Sequence, residues 1–184
     1  MDLVKDIKTH YQKYWGQFSE HKFDKGPIDE LPHNFSILKF APTSKRNMWT
    51  YATSGMSNGY YEDLIEIHMF SIMEYDFLIE LLTTIVHYHH TCSKLGLGHT
   101  INFGCPWFDN SNCEYGLISL PYLDGPLFEW LNSYSYAVRF LWLIPITKDE
   151  VQYKKRFGIE SLEELFEKSS FNYLDYTRDS VLRA

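Results

Sequence analysis

The sequence predicts an α+β fold, a mixed and mostly antiparallel β-sheet flanked by helices, in a single domain over residues 1–184. Three observations carry this. MWTYATS (48–54) and LIEIHMF (64–70) alternate with the period of two that half-buried strands require. Residues 76–95 have the length and apolar spacing of an amphipathic helix. YAVRFLWLIPI (136–146) is almost continuously apolar, the pattern of a central strand covered on both faces.

Taken in order, residues 3–20 place Val4, Ile7, Tyr11, Tyr14, Trp15 and Phe18 three or four apart, on one face of a docking helix. Gly26, Pro27 and Pro32 make 21–32 an irregular connection. Phe35, Ile37, Leu38 and Phe40 form a short strand ended by Pro42, and Gly55 with Asn58-Gly59 turn the chain after 48–54. The strands to residue 70 read as an antiparallel meander. In the helix at 76–95, Phe77, Leu81, Thr84, Ile85 and Tyr88 form one stripe and Gly96 stands where a C-cap is needed. Residues 98–126, GHTINFGCPWFDNSNCEYGLISLPYLDGP, carry few charges; INF and GLISL are expected as scaffold strands, PWFDNS and PYLDG as shaped loops. Pro145 is expected to end the strand at 136–146. Thr147-Lys148-Asp149-Glu150 is a helix-start signature, repeated at Ser161-Leu162-Glu163-Glu164, so two short helices follow. The last residues carry Tyr173, Leu174, Tyr176, Val181 and Leu182, enough apolar surface to dock on the body.

Composition bounds the function. The 184 residues suffice for a core without disulfide or metal support, and 45% hydrophobic with 22% charged residues is ordinary for a globular chain. A net charge of -7 without clustered Lys and Arg argues against nucleic-acid binding and favours a basic protein partner. Three cysteines with no CxxC, and an N-terminus without an apolar signal core, point to a reduced, cytoplasmic setting. No apolar run has the length of a membrane span.

Candidate chemistry is sparse. His87, His89 and His90 lie on the predicted helix with Cys92 near and His99 after it, and His87, His90 and His99 could share a metal. The run matches no zinc motif, and helix-end imidazoles have a structural use against the macrodipole. Cys105 or Cys113 with His99 would be a nucleophile pair, yet no nucleophile signature surrounds them. The glycines fit no phosphate-binding motif, and Glu163-Glu164 belong to a solvated helix face. No catalytic constellation and no cofactor is therefore expected. What remains is the pair of aromatic loops, in which Trp107, Asp109, Asn110, Tyr122 and Asp124 combine anchors with hydrogen-bonding groups in the manner of interaction hot spots. Asn110-Ser111 and Asp124-Gly125 are also ordinary turn formers, and Trp107 and Tyr122 could equally cover the end of the sheet.

On WTYATSGM (49–56), Glu66-Ile67-His68, LLTTIVHYHHT (81–91), GHTINFGCPW (98–107), GLISLPYLDGP (116–126) and FLWLIPIT (140–147), the chain resembles the suppressor of fused family in its small bacterial form. The elements occur in one order over residues 48–178. In the animal member, which binds a transcription factor, the peptide ligand lies as an added strand between two domains, and this chain has room only for the counterpart of the N-terminal one. The bacterial members imply a cytosolic immunity protein, an antitoxin that binds and blocks a cognate toxin such as a nuclease. By resemblance PWFDNS lies near the peptide groove, which makes Asp109 the acceptor for a partner's amides or basic side chains. The alternatives are a metal-dependent enzyme centred on His87, His90 and His99, and an intracellular adaptor that receives a peptide strand at a sheet edge.

Overall fold

The computed structural model describes residues 2–22, 28–59, 63–108, 110–169 and 171–183. The Gly26 and Pro27 part of the expected connection lies outside them. Helices α1 (Leu3–Trp15), α2 (Phe77–Thr91), α3 (Pro126–Glu129), α4 (Lys148–Phe157) and α5 (Ile159–Lys168) accompany eight strands. These are β1 (Ser19–His21), β2 (Ser36–Phe40), β3 (Trp49–Ser54), β4 (Leu64–Ser71), β5 (Thr100–Asn102), β6 (Cys113–Ser119), β7 (Trp130–Asn132) and β8 (Ala137–Thr147). They form one sheet in the order β1-β2-β3-β4-β8-β6-β5, with β7 paired to β8. The β4–β8 ladder is parallel, and β1–β2, β2–β3, β3–β4, β5–β6 and β7–β8 are antiparallel. The fold is thus α+β with a mixed, mostly antiparallel sheet. By packing, the chain divides into two compact units, Met1–Leu97 with Leu120–Trp142, and Gly98–Ser119 with Leu143–Ala184.

In the first unit α1 starts at Asp2, whose carboxylate accepts from the Lys5 amide at 3.2 Å, and stops at Gly16, whose φ of 84° no β-carbon-bearing residue adopts easily. The stop comes earlier than the apolar spacing suggested, and Phe18 stands beyond the helix. Ile7, Tyr11 and Trp15 of α1 bury against Leu38, Phe40, Ala52, Leu64, Phe128, Val138 and Phe140. Tyr11 meets Phe140 edge-on at 4.9 Å, and Trp15 meets Phe40 likewise at 5.2 Å. All eight residues of β4 are buried, because it runs between β3 and β8 and both its faces are covered.

Helix α2 ends at Cys92, not at Gly96: the Cys92 and Ser93 amides both donate to the Tyr88 carbonyl, at 2.9 and 3.1 Å. Its buried face is Leu78, Leu81, Leu82, Ile85, Val86 and His89, while Thr84 and Tyr88 of the expected stripe are exposed. Helix periodicity allowed either row; the row richer in Leu and Val takes the core. The short α3 and β7 follow no period that the sequence could announce. Among the described residues, no helix is long and apolar enough to cross a membrane.

The second unit holds β5 and β6 in register, Thr100 opposite Leu117 and Asn102 opposite Tyr115. Gly116 is required by space, since a β-carbon there would stand 2.7 Å from Leu143 Cδ1 and 3.0 Å from the Phe103 ring. β8 runs through Pro145 to Thr147, so proline does not end it, and the Pro145 carbonyl accepts from Arg178 Nη2 at 3.1 Å. Thr147 and Glu150 then form a complete capping box for α4. The second helix-start signature is displaced. α5 begins at Ile159 after Gly158, and Ser161 sits inside the helix with its hydroxyl on the Phe157 carbonyl at 3.0 Å.

Candidate functional site

The PWFDNS loop belongs to the second unit and is built inward. Trp107 is only 2% exposed, with Phe103 edge-on at 5.0 Å and Tyr176 tilted at 5.6 Å. The Trp107 amide donates to the Cys113 carbonyl at 3.1 Å, which closes the loop across its base. Asn110 turns the chain at φ 64° and is exposed. Beyond it the Ser111 hydroxyl donates to the Tyr176 carbonyl at 2.5 Å, and Asn112 Nδ2 donates to the Thr177 carbonyl at 2.9 Å. Asp109 lies outside the described residues. The loop therefore rests on the C-terminal segment, and that segment is held in turn. Arg178 donates to both oxygens of the buried Glu150 at 2.6 and 2.9 Å, and the Val181 amide donates to Glu150 at 3.0 Å. One carboxylate thus caps α4 and clamps the tail beneath the loop. A pair this enclosed, with every oxygen engaged, gains geometry in exchange for its desolvation.

The PYLDG loop belongs to the first unit and presents a different face from the one its composition suggested. Asp124 points inward with 3% of its side chain exposed; its Oδ1 accepts from Trp15 Nε1 at 2.7 Å and from the Arg46 guanidinium. Burial raises the Asp124 carboxyl above its usual range, against the pull of the Trp15 hydrogen bond and the Arg46 charge. Arg46 lies over the rings of Trp15 and Phe70, 5.3 and 5.0 Å from their centres. The buried His68 has nearby Arg46 as its charged neighbour, and burial first, then that charge, keeps its imidazole well below the ordinary range and neutral. Helix α1 also holds the backbone that follows: His10 Nε2 donates to the Phe128 carbonyl and the Tyr14 hydroxyl to the Leu127 carbonyl, both at 2.8 Å. Tyr122, in contrast, is half exposed. Trp107 and Asp124, which composition placed among partner-facing groups, act here as the internal anchors of the loops; Asn110 and Tyr122 face outward.

The histidines have structural engagements. His87 Nε2 contacts Glu30 at 2.6 Å, His90 Nε2 donates to the Met56 carbonyl at 2.8 Å, and His89 Nδ1 accepts from the Leu95 amide at 2.8 Å. His99 is exposed. Among the described residues, no group of three or more His, Cys, Asp or Glu side chains is placed to hold a metal ion. Cys113 is fully buried, and burial pushes its thiol up to about 11, far from the thiolate that nucleophilic chemistry needs. Cys92 and Cys105 are exposed.

Sequence reasoning missed Glu66. It is fully buried on β4 and accepts from the Thr53 hydroxyl (2.6 Å), the Gly55, Met56 and Ser57 amides (3.0, 3.3 and 3.1 Å) and the Ser57 hydroxyl (2.7 Å). Burial raises its carboxyl and these hydrogen bonds pull it down, with burial the larger effect. The alternating run in which it sits signalled a strand, and a Glu among Leu, Ile and His in such a run was the one available sign of a buried acceptor.

These arrangements define an α+β protein whose buried charges hold loops in place. The chain belongs to the Suppressor of fused protein (SUFU) family, whose family model matches residues 32–179. It is 30% identical to a SUFU homolog from Neisseria gonorrhoeae, with a TM-score of 0.86 over 98% of this chain and 97% of that one. Two further structures share the fold at 14% identity. One is the Sufu-Fu complex, TM-score 0.69, covering 98% of this chain and 91% of that one. The other is Drosophila Suppressor of Fused, TM-score 0.66, in which the match covers 98% of this chain and 50% of that one. No curated protein sequence matches.

Proposed function

We propose that the chain is a non-catalytic protein-binding module, and specifically a cytoplasmic immunity protein that neutralises a cognate bacterial toxin by binding it. The observation that carries the reading is the near full-length match to a bacterial SUFU homolog. The relative solved as the Sufu-Fu complex supports protein binding as what this fold does. The net charge of -7 suits a basic toxin such as a nuclease. The contact surface in this reading is the PWFDNS loop of the second unit, with Asp109 and the exposed Asn110 meeting the partner and Trp107 supporting the loop from within.

Co-expression with the toxin encoded beside the gene tests it. The pair is expected to copurify and growth to be restored; failure of both rejects the immunity role. Asp109→Arg is expected to abolish protection with the fold intact, as read by circular dichroism. An unfolded Asp109→Arg variant would instead assign that residue to the scaffold.

A further inference from the structure

We infer that the α3–β7 face of the first unit is a self-association surface that pairs with the same face of a second copy of this chain. Between Tyr122 and Tyr134 five large apolar side chains are exposed: Tyr122, Leu123, Leu127 (82%), Trp130 and Tyr134, the last fully. A cluster of this kind is unusual on a monomer's surface. The backbone beneath it is fixed. The Leu127 and Phe128 carbonyls take hydrogen bonds from Tyr14 and His10, Asp124 is locked by Trp15 and Arg46, and Phe128 is fully buried in the core. Rigid display of apolar anchors lowers the ordering cost of association. The same segment holds a pocket of about 170 Å³ lined by Pro121, Tyr122, Glu129 and Pro126, the residue before Leu127, among others, room for one aliphatic side chain.

The charge pattern selects the occupant. Residues 120–138 carry two charges, Asp124 and Glu129, and both are paired within the chain, to Arg46 and to Arg139 at 2.7 Å. The segment's own charges therefore cancel within the chain, with the Asp6 carboxylate engaged by its Tyr136 hydroxyl, on a chain of net charge -7. A strongly basic partner gains no ion pair there, and more from the acidic remainder. Two copies of an acidic chain repel over most of their surfaces and can meet at a neutral face. β7 adds a second reason: among the described residues it pairs with β8 alone, and its sequence WLN carries none of the charges or prolines that protect sheet edges. A face holding both a knob, Leu127, and an adjacent pocket is suited to the reciprocal exchange of a two-fold interface. This inference does not rest on the toxin reading.

Sedimentation velocity of the full chain, from low micromolar to several hundred micromolar, tests it. A concentration-dependent dimer is expected, and added salt should leave it unchanged or strengthen it, because salt screens the repulsion between the two acidic copies. Leu127→Asp and Tyr134→Asp should each weaken self-association about tenfold or more, since each would bury an unpaired charge in the contact. Both positions are exposed, so circular dichroism should match the parent. Ile72→Asp, exposed just beyond the end of β4 that lies away from the Leu64–Val138 pairing, should leave the dimer unaltered. A chain that stays monomeric throughout, or a dimer that survives both Leu127→Asp and Tyr134→Asp, overturns the proposal.

Discussion

Asp124 offers the sharpest test of how the candidate loops are built. Asp124→Ala removes the single oxygen that accepts from both Trp15 Nε1 and Arg46. The indole N–H, on a buried ring, is left without an acceptor, at about 1–3 kcal/mol. The guanidinium loses the buried carboxylate it pairs with, and breaking a buried pair costs about 3–5 kcal/mol. Arg46 keeps 17% of its side chain exposed, so water meets part of its need and the lower end applies. Because one oxygen serves both donors the two costs overlap, and the sum comes to about 3–5 kcal/mol, a large share of the ~5–15 kcal/mol that stabilises a domain. Urea unfolding followed by tryptophan fluorescence and far-ultraviolet circular dichroism reads the change. The double variant Asp124→Leu/Arg46→Met, which removes both charges, should recover most of it. If Asp124→Ala unfolds within about 0.5 kcal/mol of the parent, the size of an ordinary surface substitution, the anchoring role is refuted and Asp124 returns to the partner-facing set.

Three further outcomes follow from the same geometry. Glu66→Ala strands three backbone amides and two hydroxyls in β3 and the turn that follows it and should destabilise by about 4 kcal/mol or more, measured by chemical denaturation, whereas Glu66→Gln, which retains one acceptor oxygen, should cost less. Glu150→Ala should free the C-terminal segment by releasing its Arg178 and Val181, so that limited proteolysis cuts near residue 178 before the body is degraded; an unchanged pattern would remove the clamp. Stability should fall as pH drops below about 6.5, at no more than about 1.4 kcal/mol per pH unit for each histidine involved. The reason is that the unfolded chain takes up protons at His10, His68, His89 and His90 there, while burial holds those imidazoles neutral in the folded chain, His89 down to about 4. Their contribution is complete above pH 6.5 and is lost on acidification. His68→Gln should flatten the dependence, and a flat profile in the parent would contradict the assignment.

The candidate site was legible in part. That PWFDNS and PYLDG are the chain's shaped loops follows from aromatic, amide and turn residues placed between apolar runs, and the loops are where those residues say. Which side chains face outward does not follow. A Trp or an Asp in a turn has the same local appearance whether it meets solvent or a core. The partners that turned Asp124 inward, Trp15 and Arg46, are 109 and 78 residues away.

The sequence by itself determined the type and order of the main elements: the alternating strands, the capping box at Thr147 and Glu150, the central strand at 136–146, and the family to which the chain belongs. These rest on periodicity and local hydrogen bonding, which operate within a few residues. Tertiary structure alone decided where several of those elements stop, which stripe of α2 is buried, that both faces of β4 are covered, and that Glu66, Asp124 and Glu150 hold loops from inside. A buried carboxylate has to be matched by donors brought from distant segments, and only the packed chain brings them together.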